Sequence, residues 1–467
     1  MKGQCKMGLI GFNEFVKETI GKKDPVLDNV TTQIQYPTGF MWLDYAAGNS
    51  ITVYDDDEVP QFYFHNVGIT MGSLNTIIAK SQGGKTSLSI KMGAAILEPW
   101  IMSYLKNKID RSLNPKIKEL PKPMLQIIDT EGTSSLDYVK KLTHYRNREL
   151  KNYVRIDCAK TDKELQYVMS KHCEYKEKCM EKMYLPQVDI YGDHIYTYPP
   201  TVMIIDSMTD VQVDEVTGSN IEIFDKQVQN TAGMQRAKRI TQLTTNLNYI
   251  AKKYNIIIFN INHINMDPQV SMMPQPKQYR GLKQGEKLNG GERAIYLATN
   301  ILRLDVIKAI GSEKASMLNL GDDITGFVTM ADWIKCKSNS RRNKPHLIYT
   351  NEHGYDTLLS NLYYAKEREV LPKKGNFFYL PGFEEHKFTL KTARSVFQEH
   401  PELITALYES MKEWAEPMLD NADYAAKQAR KQEKEDLDSM IKFEVSAGTM
   451  SHSEASELEE AYSFINS

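Results

Sequence analysis

A lysine and a threonine that open a helix, directly after an apolar strand and a polar turn with glycines, are suited to phosphate chemistry. In this chain of 467 residues they are Lys85 and Thr86, within NTIIAKSQGGKTSLSIKMGAAIL. Ala79, Lys80, Ser81, Gln82, Gly83, Gly84, Lys85 and Thr86 match the spacing of a nucleotide-binding loop, with Ala79 where such loops begin on glycine. Backbone N–H groups of the turn and of the helix start make a concave anion site. Gly83 and Gly84 allow a close backbone approach, Lys85 would reach the β and γ phosphates, and the Thr86 hydroxyl would hold Mg²⁺. The alternative is a helix-opening turn that merely contains GGKT, but the strand and helix on either side favour the phosphate loop.

Two further strand ends carry carboxylates. TVMIIDS ends in Asp206, which suits an acid that binds Mg²⁺ through water beside the phosphate loop. IIDTEG offers Asp129 and Glu131, and a carboxylate there could polarise an attacking water as a general base. Taken alone, each is also a common way for a strand to turn.

These groups need a scaffold that brings strand ends together. Short apolar runs at 75–79, 124–129, 201–206, 255–261 and 327–335 read as strands buried on both faces. Helical spacing from Lys85 to Leu97 and from about Gln227 to Lys253 separates them. Alternating strands and helices predict an α/β fold with a mostly parallel central sheet flanked by helices. Residues 103–123 and 263–290 read as polar loops or insertions, and 163–184 as an exposed helix. After residue 356 a small α+β unit is expected, with the strand pair NFFYLPG and HKFTL leading into helices at 391–399 and 401–430.

Composition narrows the partners. Lys and Arg number 58 against 60 Asp and Glu, for a net charge of -2, so any nucleic-acid binding must come from local patches. The five cysteines lack C-x-x-C spacing, which argues against a disulfide framework or a four-ligand zinc site and suits a reducing cytoplasm. No signal peptide or membrane span is expected. Beyond Phe443 the tail carries Glu444, Glu454, Glu457, Glu459 and Glu460 without Lys or Arg, and reads as flexible and acidic.

In order along the chain, these landmarks resemble the RecA-type recombinases, and among them the phage UvsX-like branch. PTGFMWLDYAAG at 37–48 and GITMGSLNTIIAKSQGGKT resemble the family's run into the phosphate loop. IIDTEGTSSLDYVKKL resembles the segment whose glutamate activates water, which places that role on Glu131, and it puts an adenine-stacking tyrosine at Tyr138. IFNINHIN resembles the strand whose terminal polar residue senses the γ-phosphate; many relatives have glutamine where this chain has His263. A strand-end histidine satisfied by a neighbour is the plainer reading. WIKCKSN resembles a strand that sends two lysines, here Lys335 and Lys337, into the neighbouring subunit's nucleotide site. By spacing alone those lysines read as a solvated face. The resemblance spans roughly residues 36 to 410 and leaves 103–123 and 159–200 as unassigned insertions.

The resemblance implies a RecA-like ATPase core over 36–355 with DNA-binding loops, an N-terminal oligomerisation arm over 1–35, a small C-terminal domain over 356–430 and an acidic tail over 431–467. Core packing within its own subunit is the competing reading of the arm. It implies an ATP- and Mg²⁺-dependent, DNA-stimulated ATPase that forms homo-oligomeric helical filaments on single-stranded DNA and pairs it with duplex DNA. Single-strand-binding and loading proteins are the further partners expected. The expected DNA contacts are Arg236, Lys238 and Arg239 on one helix, and Lys277, Arg280, Lys283 and Lys287 in loop 264–289, where Asp267 and Glu286 are the only acids. The loop also reads as a polar excursion whose charges keep it soluble. A ring-forming motor of the same fold, or a DNA-coating mediator with little ATP turnover, are the alternatives.

Overall fold

Alternation along the apolar runs decides how the sheet is covered. In the strand Thr201–Asp206, Val202 and Ile204 join one hydrophobic cluster while Met203 and Ile205 join another. Ile257, Phe259 and Ile261 divide from Ile256 and Ile258 in the same way. Successive side chains of a strand point to opposite faces, so a strand apolar at every position must be buried on both. The computed structural model describes residues 34–54, 60–189, 192–212, 226–266, 281–283, 286–288, 296–310, 320, 324–419 and 439–441.

The central strands are β1 (Leu74–Ala79), β2 (Leu125–Asp129), β3 (Val154–Cys158), β4 (Thr201–Asp206), β5 (Ile256–Met266), β6 (Asn300–Ile310), β7 (Gly326–Lys335), β8 (His346–Thr350) and β9 (Gly354–Asp356). Their spatial order is β3-β2-β4-β5-β1-β6-β7-β8-β9, parallel from β3 to β6 and antiparallel from β6 to β9. The expected α/β architecture with a mostly parallel sheet is present. The helices that matter for the site are α1 (Met41–Ala47), α2 (Lys85–Leu113), α3 (Leu136–Thr143), α4 (Asp162–Cys179), α5 (Lys226–Tyr254), α6 (Thr357–Glu367) and α7 (Glu402–Ala415). One face of the sheet packs against residues of α1, α2, α3 and α6, and the other against α4 and α5. No described helix is long and apolar enough to cross a membrane.

Several boundaries differ from the sequence reading. The helix that opens at Lys85 runs through Pro99 to Leu113, so half of the expected loop 103–123 is helical. The helix expected over 163–184 ends at Cys179, and a hairpin of Met183–Val188 with His194–Thr197 follows it. Nor is that helix simply exposed. Lys176 is 0% exposed, and its Nζ donates to the carbonyls of Pro199 and Tyr254, both at 2.7 Å, and of Asn255 at 3.2 Å. His172 beside it bonds Gln126 Oε1 at 2.6 Å and Thr201 Oγ1 at 2.9 Å, and burial lowers its pKa to about 3. The helix α4 is thus tied to the base of the sheet by a buried ammonium whose three hydrogen bonds go to backbone carbonyls.

Beyond β9, the hairpin Phe377–Leu380 with Phe383–Phe388 and the helices Ala393–Glu399 and α7 follow as expected, but the last helix stops at Ala415 and runs into a 3-10 turn, Glu416–Met418. Residues 1–33, with most of the expected arm, and the tail apart from 439–441 lie outside the described residues.

Ahead of the core, Thr38 donates its N–H and hydroxyl to the two Asp44 carboxylate oxygens at 2.9 and 2.6 Å. Asp44 is 2% exposed, and burial pushes its pKa up to about 7 against the opposing effect of these hydrogen bonds. The folded chain therefore keeps a proton that the unfolded chain releases near pH 4. That contribution to stability is complete below about pH 4 and is lost as the pH rises through about 7. Asp44→Asn stays neutral and is expected to remove the slope. Between about pH 5 and pH 7 the wild type should lose up to about 1.4 kcal/mol per pH unit relative to the variant, read from paired denaturation curves.

Candidate active site

β1 delivers Ala79 to the carboxyl edge of the sheet, and α2 begins six residues later at Lys85. Between them Gln82 (φ 60°) and Gly84 (φ 75°) adopt left-handed backbone on either side of Gly83, a pattern that curls successive N–H groups into an anion-binding nest. Gly84 is required on two counts: its φ, and a buried Tyr355 ring that lies 2.8 Å from where a Cβ would sit. Tyr355 also donates its hydroxyl to Gly83 O at 3.2 Å, so β9 braces the loop from below. A Cβ on Gly83 would come within 2.7 Å of the Ala79 Cβ. The glycine at 83 thus leaves room for the methyl at 79.

Lys85 is 6% exposed, and its Nζ donates to Ala79 O at 3.4 Å, Lys80 O at 3.1 Å and His263 Nδ1 at 3.3 Å. Burial lowers its pKa, while Asp206 and Glu131 hold it up. Thr86 Oγ1 donates to Asp206 Oδ2 at 2.6 Å. Burial raises the Asp206 carboxyl and the Thr86 hydrogen bond opposes the shift.

The segment IIDTEG resolves into two jobs. Asp129 accepts from the N–H groups of Glu131 (3.0 Å), Gly132 (2.8 Å) and Ser134 (2.6 Å), and so shapes the turn. Glu131 is left facing the cleft, with Oε1 3.6 Å from His263 Nε2. Burial first, then the charges of Asp206 and Asp210, lift its pKa above the usual carboxylate range, and His263 opposes them. Asp210 brings a donor atom within 4.8 Å of those of Glu131 and His263. Sequence reading missed it. The signal available was its place four residues past Asp206 in IIDSMTD, where it accepts hydrogen bonds from Ser207 and Thr209.

Lys85, Thr86, Glu131, Asp206 and His263 line one cleft of about 860 Å³, together with Ser81, Gln82, Tyr138, Phe327 and Tyr349. Tyr138 sits in α3, whose start is capped by Ser135. Phe327 and Tyr349 stack with ring centroids 4.4 Å apart and planes 4° apart. With Tyr138 they add aromatic faces to a polar cleft, a surface suited to a planar base. The stacked pair was not singled out in the sequence because its members lie on different strands, β7 and β8.

Lys335 and Lys337 do not line this cleft. Gly326 does, and Lys335 is the far end of the same strand, about 30 Å away at about 3.3 Å per residue. Lys335 Nζ donates to Tyr296 O at 2.7 Å, and Lys337 lies exposed just past the strand end. Among the expected DNA contacts, Lys277 and Arg280 lie outside the described residues, as do the side chains of Arg236 and Lys287. Lys238 is exposed and Arg239 half-buried on α5. Loop 264–289 is a hairpin at its base: Ile264, Asn265 and Met266 continue β5 and pair with Leu288, Lys287 and Glu286.

The charge reading of that loop also changes. Glu286 is clamped by Arg303, whose NH1 and NH2 donate to its two oxygens at 2.6 and 2.9 Å, and Lys283 Nζ sits 3.5 Å from Asp305 Oδ2. Arg303 additionally donates to Asp305 at 2.8 and 2.9 Å and to Gly281 O at 2.9 Å. Glu286 therefore does not oppose a ligand at the loop, and Lys283 is not a free cation.

In comparisons with known proteins, no family model and no curated protein matches the chain.

Proposed function

We propose that the chain is an ATP-dependent DNA recombinase of RecA type, assembling on single-stranded DNA and using ATP to control the assembly and its pairing with duplex DNA. The observation that carries this reading is the convergence of Lys85, Thr86, Asp206, Glu131 and His263 on one cleft at the carboxyl ends of β1, β2, β4 and β5. Ligands of open α/β sheets bind at that edge.

The Thr86 hydroxyl and the Asp206 carboxylate stand side by side and offer the hard oxygen donors that Mg²⁺ prefers. When bound, the ion would neutralise charge between the β and γ phosphates. The nest and Lys85 would hold the phosphates, and the aromatic walls the base. Glu131, its carboxyl raised by burial and by neighbouring acids, is the group able to take a proton from water. His263 lies between Lys85 and Glu131. Because the ammonium can only donate, Nδ1 accepts and Nε2 carries the hydrogen that faces Glu131. Donor and acceptor on one side chain is what a glutamine amide also provides, so the histidine suits the phosphate-sensing position of the family.

In this reading Lys335 and Lys337, remote from their own cleft, act on a neighbour's, and His263 immediately precedes Ile264, the first paired residue of the hairpin that bears the second DNA loop. The test is ATP hydrolysis with and without single-stranded DNA, combined with imaging of the assemblies. Several-fold stimulation and open helical filaments are expected. Unstimulated turnover would remove the recombinase reading, and closed rings would favour a motor.

A further inference from the structure

We propose that His386, His400 and Glu402 form a transition-metal site of the Zn²⁺ class, separate from the nucleotide cleft. One donor atom from each lies within 4.8 Å of those of the other two. The three come from elements that the fold brings together: His386 from the strand Phe383–Phe388, His400 from the end of the helix Ala393–Glu399, and Glu402 from the first position of α7. The turn that carries the last two is held by its own backbone. His400 N donates to Val396 O at 2.9 Å, Leu403 N to His400 O at 3.1 Å, and Pro401 lies between the two ligands.

The rings of His386 and His400 have centroids 3.8 Å apart and planes inclined by 35°. Each ring also faces a carboxylate, with Glu402 Oε1 3.1 Å from His400 Nδ1 and Glu385 Oε1 3.5 Å from His386 Nε2. Two imidazoles with one or two carboxylates are a Zn²⁺ donor set, since softer ions prefer thiolates and Mg²⁺ or Ca²⁺ prefer oxygen alone. Bonds of about 2.0–2.2 Å to a tetrahedral ion need donors roughly 3.5 Å apart. The side chains are partly exposed, and closing by about an ångström is within rotamer adjustment. A bound ion would clasp the hairpin to the two helices that follow it, and metal binding of that kind adds to folding stability.

The full-length chain, stripped with chelator, is titrated with ZnCl₂ by calorimetry and with CoCl₂ by visible absorption. Wild type is expected to bind one equivalent of Zn²⁺ more than the double variant His386→Gln/His400→Gln and to give a tetrahedral Co²⁺ band that the variant lacks. Glu402→Gln keeps both imidazoles and should weaken binding about tenfold or more. Equal stoichiometry and affinity in wild type and double variant would overturn the site. So would Zn²⁺ uptake that is lost in Glu131→Gln and kept in the histidine variant, which would place the ion in the cleft.

Discussion

Glu131→Gln is expected to lower ATP turnover by about 10²–10⁴-fold, the range for losing a positioned general base, while ATP still binds. The substitution keeps size and shape but cannot accept a proton at neutral pH. It should also leave the turn intact, because Asp129 rather than Glu131 organises residues 131–134. In the proposed reading binding would rest on other groups, namely the nest, Lys85 and the aromatic walls, so a fluorescent ATP analogue should bind the variant with near wild-type affinity. Lys85→Ala separates the two effects. It removes the cation proposed to hold the phosphates and should abolish binding and turnover together. Turnover of Glu131→Gln within a few-fold of wild type would remove the residue from the chemistry and leave Asp210 as the remaining acid at that position.

The second large effect is expected at Arg303→Ala, a cost of about 3–5 kcal/mol, because removing one partner leaves a buried charge uncompensated. Arg303 is 2% exposed and joins Glu286 at the base of the hairpin to Asp305 within its own strand. The loss is expected to begin locally, with amides of 264–266 and 286–288 losing hydrogen-exchange protection before the central strands do. The double replacement Arg303→Met/Glu286→Leu removes both charges and should recover much of the loss. Equal destabilisation by the single and double variants would show that the hairpin is held by something other than this pair.

How much could be read in advance depended on whether the signal was local. The central strands and α2 and α5 are legible because a doubly buried strand is a short apolar run and a covering helix repeats every three or four residues, as Ile240, Leu243 and Leu247 do. Lys85, Thr86 and Asp206 are legible for the same reason, being strand or helix ends. Groups whose meaning lies in a distant partner were not. Arg303 looks like any charged residue until Glu286 is beside it, and Lys176 reads as a solvated helix residue until three carbonyls converge on it. Likewise strand-end position alone does not separate Asp129 from Glu131; the resemblance named Glu131, and the three N–H groups around Asp129 show that this acid shapes the turn. The helix expected over Lys85 to Leu97 runs on through Pro99 to Leu113, where the apolar spacing gives way to polar residues.

The contact between positions 79 and 83 constrains how this loop can change with time. A methyl at 79 and a methyl at 83 exclude one another, so the two sites are coupled rather than additive. Ala79→Gly would remove the nearer contact, but a Cβ at 83 would still lie 3.1 Å from the Lys80 carbonyl oxygen, which the turn itself holds through the Gly83 N–H. With alanine at 79, position 83 is thus closed to a side chain from two directions, and one methyl on the strand end fixes the residue type at the centre of the anion-binding turn.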